Sequence, residues 1–393
     1  MKLPTLDDVD VDGKVILTRV DINSPLHPET LDILDTSRIK RIIPTLHELE
    51  KGKVVLLAHQ GRPGSWDFTG LEKHAHAISN ELGKDVAYID DIYGEKAQKA
   101  IKELKEGEVL LLDNVRKYKG EREKKSPEEH ALSPLVKNLA PLADIFVNDA
   151  FAAAHRPHCS LVGFIPVLPS YAGRLLEMEV KTLTKIMEMP ERPCVFIFGG
   201  AKYSNAVKVI KNLVGKKIAD KILLGGVPGS AFLKAKGVET SIKMERDERE
   251  EMEEILEKFG NHIVLPVDFV VNGDGIKEKD VTNISTNDEI GDIGNETISL
   301  FTQEIKKAST LFLSGPMGIF EKKEFEKGTK EILESIANSK SFSIIGGGHT
   351  VAAANRFGVA DKMSYISTGG GSLEQFLMGK PLPVIEALAG KVK

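Results

Sequence analysis

Short apolar runs rich in β-branched residues alternate along the whole sequence with longer stretches of helical periodicity. The runs include VILTRV (15–20), VVLLAH (54–59), IFVNDA (145–150), CVFIF (194–198) and TLFLSG (310–315). Unbroken apolar runs of this length are typical of strands buried on both faces, and their alternation with helices indicates parallel sheets. The sequence therefore predicts an α/β fold built from doubly wound parallel sheets.

The length of the chain indicates two such sheets. At 393 residues it exceeds what one hydrophobic core usually supports, since a domain averages roughly 150 residues. Between the halves, Leu176, Val180, Leu183 and Met187 are spaced by four, three and four residues, which predicts one long helix. We expect a first domain over residues 1–170, a connecting helix over 171–189, a second domain over 190–375 and a C-terminal tail over 376–393.

Composition excludes several classes of function. The formal charge of −5 argues against general attraction to nucleic acid or to an anionic membrane. The acidic, polar residues 1–14 argue against a signal peptide. No apolar run reaches the roughly 18 residues that a membrane helix needs. Cys159 and Cys194 lack metal-type spacing, so reduced thiols are expected. We expect a cytoplasmic protein, either a monomer or a homodimer, that binds neither nucleic acid nor membranes.

Basic side chains follow the apolar runs of the first half. Ligands of open α/β sheets bind beyond the carboxyl ends of the strands, and guanidinium groups suit phosphate and carboxylate. One loop arginine is usually a surface ion pair, but several at equivalent strand ends predict a site for a small, multiply anionic, hydroxylated ligand. The residues concerned are Arg19, Asp21, Asn23, His59, Arg62, Arg116, His155 and Arg156.

Glycines follow the apolar runs of the second half, in FGGAK, LGGVPGS, SGPMG, IGGGHT and STGGGS. A pair of glycines after a strand is usually only a tight turn. Five such ends, one of them continuing into Lys202, instead predict a nucleotide site in which phosphates approach the backbone amides. Neither GxxxxGK[ST] nor GxGxxG is present, so this interpretation has no support from those two motifs. An anion-binding domain together with a nucleotide-binding domain predicts phosphoryl transfer, which requires positioning and exclusion of water.

The ordered motifs resemble those of the phosphoglycerate kinase family from end to end. They are RVDINSPL (19–26), TSRIKRIIPTL (36–46), AHQGRP (58–63), GGAK (199–202), SGPMGIFE (314–321), IGGGHT (345–350) and STGGGSLE (367–374). The resemblance implies two Rossmann-like domains, a hinge and a tail that returns to the first domain. It also implies the glycolytic and gluconeogenic reaction 1,3-bisphosphoglycerate + ADP ⇌ 3-phosphoglycerate + ATP, by in-line transfer in a closing interdomain cleft with Mg²⁺ carried on the nucleotide.

The resemblance also implies roles for individual residues. Arg38 and Lys202 would be catalytic and neutralise the transferring phosphoryl group, while Glu321 would bind the ribose. Phosphoglycerate would be held by Asp21, Asn23, Arg38, His59, Arg62, Arg116, His155 and Arg156. The nucleotide would be bound by Gly199, Gly200, Lys202, Lys208, Gly225, Gly226, Gly315, Glu321, Gly346, Gly347, Gly348, His349 and Thr350.

Three positions depart from the usual family pattern. Ala206 stands where many members carry a second lysine, Asn205 replaces a common aspartate, and His349 replaces the aspartate linked to magnesium. Lys208 is close enough in sequence to substitute in part for the lysine that is missing at position 206. A histidine at position 349 resembles a divergent, archaeal-like branch of the family. The residues that hold the metal are therefore unknown. His349 is expected to donate a hydrogen bond to phosphate, and the alternative is a helix cap without ligand contact.

Two other functions fit the same residues. One is a non-catalytic two-lobed protein that senses phosphorylated metabolites, although a sensor would not need both Arg38 and Lys202. The other is a kinase that acts on a different acyl phosphate.

Overall fold

The structure, a computed structural model, describes residues 3–390. The chain divides into two compact units. The first unit contains residues 1–181 and 381–393, and the second contains residues 182–380. The first unit is thus built from two separate segments of sequence, whereas the second is continuous.

The sheet of the first unit has six strands, and all neighbouring strands are parallel. Its strands are β1 (Val15–Val20), β2 (Lys53–Leu57), β3 (Val86–Ile89), β4 (Val109–Leu112), β5 (Ile145–Asp149) and β6 (Ser170–Ala172). They are ordered β3-β4-β2-β1-β5-β6 across the sheet. Strand β1 is buried from Ile16 to Val20, as expected for a strand covered on both faces.

Helices cover this sheet because their apolar residues recur at helical spacing. In the first of them, Ile39, Ile42 and Leu46 are all buried. The helices of the first unit are α1 (Ser37–Glu48), α2 (Glu72–Leu82), α3 (Glu95–Glu103), α4 (Pro127–Ala131), α5 (Pro134–Leu139) and α6 (Cys159–Val162).

Helix α7 (Arg174–Glu188) contains the point at which the chain passes from the first unit to the second, between Lys181 and Thr182. The predicted apolar stripe of this helix is buried at its first three positions. Its last buried position is Ile186 rather than Met187.

The main sheet of the second unit also has six parallel strands. Its strands are β7 (Cys194–Phe198), β8 (Lys221–Leu224), β9 (Ile263–Val264), β13 (Thr310–Ser314), β14 (Phe342–Gly346) and β15 (Tyr365–Ile366), in the order β15-β14-β13-β7-β8-β9. The predicted α/β class with two parallel sheets is confirmed.

A second, antiparallel sheet of the second unit was missed by the sequence analysis. Its strands are β10 (Asp268–Gly273), β11 (Gly275–Asp280) and β12 (Glu289–Ile293), with β10 in the centre. The sequence does contain a signal for it, because NGDG (272–275) is typical of a tight hairpin turn. This hairpin signal was not used, because the sequence on either side of it has the alternation of strands and helices that predicts parallel sheets.

The helices of the second unit are α8 (Ser204–Gly215), α9 (Gly226–Ala235), α10 (Arg246–Phe259), α11 (Asn295–Lys307), α12 (Lys327–Ala337), α13 (Gly348–Arg356) and α14 (Gly371–Leu377). Phe301, Leu311, Ile332 and Ile345 are among the fully buried residues of this unit's core. Within residues 3–390, no helix combines the length and the apolar character that crossing a lipid bilayer requires.

The last helix, α15 (Pro383–Ala389), belongs to the first unit. Val384, Ile385 and Leu388 are buried on it, and the Val384 N–H donates to the carbonyl oxygen of Ala154 at 3.3 Å.

Candidate functional site

A strongly basic cavity of about 340 Å³ lies in the first unit. We call it the arginine cavity; its lining residues are Arg62, Arg116, Arg122, Arg156 and His158. No lining residue is acidic, and none of these arginines forms an ion pair within residues 3–390. The guanidinium groups therefore concentrate positive charge in a cavity that no carboxylate lines, as an anion site requires. The buried carboxylates of Glu121 and Asp21 lie outside the lining and offset part of this charge.

The pKa values of the cavity arginines reflect this crowding. Burial and then the charge of Arg62 lower the pKa of Arg156. Burial and then the charges of Arg156 and Arg19 lower the pKa of Arg116 to about 10. An anion bound among these groups would relieve their repulsion, because an opposite charge stabilises the protonated form.

Arg116 is fixed by the turn that follows strand β4. The side-chain amide of Asn114 donates to the carbonyl oxygens of Gln60 at 2.7 Å and Thr69 at 2.8 Å. Its side-chain oxygen accepts from the Arg116 N–H at 3.1 Å, and Arg116 Nη1 donates to the carbonyl oxygen of Gly61. The turn after β4 is thereby tied to the AHQGRP loop, which carries Arg62.

Asp21 and Asn23 lie just beyond the end of strand β1. Asp21 is buried and accepts a hydrogen bond from Arg38 Nη1 at 2.7 Å. Asn23 Oδ1 accepts from the Gly61 N–H at 2.9 Å, so its side chain also anchors the loop that carries Arg62. The sequence-predicted residues Asp21 and Arg38 are thus bonded to each other, and Asn23 is bonded to the loop that carries Arg62.

His155 contacts the adjacent arginine. Arg156 Nε donates to His155 Nε2 at 3.0 Å, which directs the guanidinium group. Burial and then the charge of Arg156 lower the pKa of His155 to about 4, so the ring is neutral near pH 7 and can accept this bond. The geometry gives His155 a positioning role toward Arg156.

Arg19 does not line the arginine cavity, contrary to the prediction that it joins the other arginines at the mouth of the sheet. Its side chain is 1% exposed and bonds to protein groups on all sides. A charged residue within a strand covered on both faces has its side chain inside the protein. Instead, the cavity contains Arg122 and His158, which the sequence analysis missed.

In the second unit, three glycine-containing loops pack backbone against backbone. The Gly200 N–H donates to the Pro316 carbonyl at 2.7 Å, and the Val227 N–H donates to the Gly200 carbonyl at 2.9 Å. A Cβ on Gly199 would lie 2.2 Å from the carbonyl oxygen of Pro316. Close approach of these loops therefore requires glycine, independently of any ligand.

These loops border a second cavity of about 340 Å³, the glycine cavity. Of the predicted nucleotide residues, Gly200, Gly226, Glu321 and His349 line it. Gly199, Gly225, Gly315, Gly346, Gly347, Gly348, Thr350, Lys202 and Lys208 are not among its lining residues. The sequence analysis missed Ser241, Ile242, Glu289, Ile290, Gly291 and Ile319, which line it as well.

The IGGGHT segment forms the end of strand β14 and the start of helix α13. Gly347 precedes the helix with φ of +90°, a conformation that favours glycine. Thr350 is buried, and its hydroxyl accepts from the Gly315 N–H at 2.7 Å, so it joins two loops. His349 is exposed in the first turn, and the helix has no side-chain cap, which argues against the capping alternative.

The lysines predicted to bind nucleotide are exposed. Lys202 lies in the loop before helix α8, and Lys208 lies on that helix, where its charge acts on Glu248. Asn205 donates to Glu374 Oε2 at 2.7 Å, so a side-chain hydrogen bond joins the first turn of helix α8 to the STGGGSLE segment.

The residues present do not form a metal cage. No group of three His, Cys, Asp or Glu side chains within residues 3–390 is arranged to hold a metal ion. The carboxylates that line the glycine cavity are Glu289 and Glu321. Magnesium prefers octahedral oxygen coordination and keeps several waters, so these residues do not fit a site built from protein ligands alone.

Comparisons with known proteins show the family to which the chain belongs. A profile of the family described as phosphoglycerate kinase matches residues 6–380. The phosphoglycerate kinases of Methanococcus maripaludis and Archaeoglobus fulgidus are each 46% identical to the chain; the alignments cover 98% of this chain and 97% and 96% of theirs. The crystal structure of phosphoglycerate kinase from Pyrococcus horikoshii OT3 is similar with a TM-score of 0.89 and 37% identity, over 98% of each chain. Since these matches span nearly the whole sequence, the chain belongs to the phosphoglycerate kinase family.

Proposed function

We propose that the chain catalyses reversible phosphoryl transfer between 1,3-bisphosphoglycerate and ADP, forming 3-phosphoglycerate and ATP. The observation that carries this proposal is the arginine cavity, where four guanidinium groups converge and no carboxylate is present. A phosphorylated carboxylic acid supplies the anionic groups that such a cavity lacks.

Within the first unit, the phosphate of phosphoglycerate binds to Arg62, Arg116, Arg122 and Arg156. Arg122 is exposed and has no ion-pair partner within the described residues, which supports its inclusion. Asp21 accepts a hydrogen bond from the hydroxyl group of the ligand. Arg38, held at 2.7 Å from Asp21, directs its other N–H groups toward the transferring phosphoryl group.

Within the second unit, the nucleotide binds in the glycine cavity. Val227, Ile242, Ile290 and Met317 supply an apolar lining suited to a purine base. Glu321 accepts hydrogen bonds from ribose hydroxyls, and the amides at the start of α13 bind phosphate oxygens. Lys202 neutralises charge on the transferring group. Magnesium enters bound to nucleotide oxygens and water, because residues 3–390 offer no cage for it.

The test is a coupled assay of the purified chain with 1,3-bisphosphoglycerate, ADP and magnesium, measuring ATP. Turnover that is lost in Lys202→Ala supports the proposal. Tight phosphoglycerate binding without turnover would identify a sensor instead. Turnover with acetyl phosphate or another acyl phosphate, but not with 1,3-bisphosphoglycerate, would reassign the substrate.

A further inference from the structure

The buried Arg19 guanidinium makes three directed hydrogen bonds. Arg19 Nε donates to Ser160 Oγ at 2.8 Å, and Nη1 donates to the carbonyl oxygen of Val20. Arg19 Nη2 lies 3.0 Å from His59 Nδ1. A guanidinium group has donors but no acceptor, so the direction of this last bond is fixed: Arg19 donates and His59 Nδ1 accepts.

The charge state of His59 decides which of its ring nitrogens carries a proton. Burial lowers the pKa of His59 well below its usual value, and the charges of Arg19, Arg116 and Arg156 act in the same direction, while Asp21 opposes them. A neutral imidazole carries one proton. Since Nδ1 accepts, that proton lies on Nε2. The Nε2–H group has no hydrogen-bond partner within residues 3–390, so this donor is unused by the protein. His59 itself is buried behind the residues that line the arginine cavity.

Ser160, which accepts from Arg19, is itself held by the buried carboxylate of Glu121. Glu121 accepts from the Ser160 hydroxyl at 2.7 Å and from the Ser160 N–H at 2.9 Å. Because the Ser160 hydroxyl donates to Glu121, its oxygen is available to accept from Arg19 Nε at 2.8 Å. Burial raises the pKa of Glu121 to about 6. With Glu121 ionised, each hydrogen bond in the series from Glu121 through Ser160 and Arg19 to His59 has one possible direction, and successive bonds polarise one another.

We propose that Arg19 is a positioning residue that fixes the Nε2–H tautomer of neutral His59. The ring then presents a proton, rather than a lone pair, to an anionic oxygen of the ligand. The identity of that ligand rests on the proposed function, whereas the tautomer does not. Without Arg19 the ring would populate both tautomers, and one of them would repel the anion that the site must bind.

The direct measurement is nitrogen NMR of the unmodified chain labelled with ¹⁵N-histidine. The chain has ten histidines, so the His59 signals are assigned by their loss in His59→Gln. We expect an unprotonated Nδ1 and a protonated Nε2 from about pH 6 to about pH 8. A protonated Nδ1 in the wild-type chain overturns the proposal, and this result needs no variant of Arg19.

Kinetics provide the second test. In Arg19→Met we expect a mixed-tautomer spectrum and a KM for 3-phosphoglycerate raised about tenfold, as loss of a charged hydrogen bond predicts. In the His59→Gln background the same change should alter KM less than about twofold, because Arg19 acts through His59. An equal rise in both backgrounds overturns the positioning role. Absence of turnover in the wild-type chain would instead refute the proposed function and leave the tautomer result intact.

Thr18→Val is the matched control. Thr18 is the neighbour of Arg19 on strand β1, and its buried hydroxyl has no hydrogen-bond partner among the described residues. We expect this variant to retain the His59 tautomer and the wild-type KM. A changed tautomer in Thr18→Val would show that any disturbance of β1 has this effect, and would overturn the specific role of Arg19.

Discussion

Arg38 Nη1 lies 2.7 Å from Asp21 Oδ2, which joins the start of helix α1 to the residue after strand β1. The Asp21 side chain is 6% exposed and that of Arg38 is 36% exposed. Burial alone would raise the pKa of Asp21, but the positive charge of Arg38, assisted by other groups, lowers it to about 2. The carboxylate therefore stays ionised and holds one edge of the guanidinium group, which leaves the remaining N–H groups of Arg38 available to an anion.

Replacement of Arg38 by alanine tests whether its remaining N–H groups act on the transferring phosphoryl group. We expect Arg38→Ala to lower kcat by at least ~100-fold and to weaken phosphoglycerate binding less, because charge directed at a transferring group acts mainly in the transition state. Steady-state kinetics and calorimetric binding measure the two effects. Lys40→Ala is the control, since Lys40 is exposed on the same helix and pairs with Glu81 at 3.8 Å. Equal losses in binding and turnover would make Arg38 a substrate clamp only.

The Asp21 carboxylate also predicts a response of stability to acid. Its pKa of about 2 is below the ordinary value of 3.8, so its contribution is present above the unfolded pKa and is lost as pH falls through about 2. Asp21→Asn should reduce the free energy of unfolding by about 2 kcal/mol at neutral pH. Urea unfolding at several pH values should show this difference shrinking from about pH 4 downward. A difference that is constant with pH would contradict the linkage.

Because the arginine cavity is proposed to bind phosphoglycerate and not the nucleotide, substitutions in it should affect only the first of these two ligands. Arg122→Gln, like Arg62→Ala and Arg156→Ala, should raise the KM for 3-phosphoglycerate about tenfold through loss of charged hydrogen bonds. Affinity for ADP measured alone should not change. The control is Arg249→Gln, because Arg249 is exposed on α10 and pairs with Glu253 at 2.8 Å. An Arg122 variant with wild-type KM would remove Arg122 from the site.

The packing of the glycine loops predicts opposite effects of two Gly-to-Ala changes. In Gly199→Ala the new Cβ would lie 2.2 Å from the Pro316 carbonyl oxygen, so the loops must separate and both stability and ADP affinity should fall. In Gly215→Ala nothing lies within 4 Å of the new Cβ. This helical change should be neutral or stabilise by up to about 1 kcal/mol. Thermal unfolding and ADP titration compare the two, and a tolerated Gly199→Ala would refute the packing argument.

His349→Asp tests how metal and nucleotide bind together. His349 is exposed in the first turn of α13 and lines the glycine cavity. An aspartate there adds an oxygen ligand for magnesium and a negative charge near phosphate. ADP binding should become more dependent on magnesium, and metal-free ADP should bind more weakly. Calorimetry with and without magnesium measures both, and unchanged affinities would exclude a phosphate-side role for His349.

The parallel sheets could be predicted because their signal is local. Runs such as VILTRV and CVFIF are buried strands β1 and β7, and burial on both faces is encoded within each run. The hairpin of β10 and β11 has an equally local signal in NGDG, but it was outweighed by the α/β pattern on either side.

Individual site residues were harder to predict, because tertiary packing decides them. Arg19 and Arg116 both belong to strand-end motifs, yet Arg19 is enclosed by protein groups while Arg116 lines a cavity. Arg122 lies in the charged stretch GEREKK and has no sequence feature that separates it from a surface arginine. Glycine carries a similar ambiguity: it permits close approach of backbone, and the sequence does not say whether a phosphate or another loop approaches Gly199.

Because helix α15 is at the end of the chain, the two units can complete their folding at different times during synthesis. Residues 381–393 complete the first unit, yet the ribosome adds them after all of residues 182–380. The second unit is continuous and can bury its core as soon as it has emerged, as domains commonly fold in units during translation. The first unit must wait with the surface beneath Val384, Ile385 and Leu388 uncovered. The half of the protein that is translated first is therefore the half that is finished last.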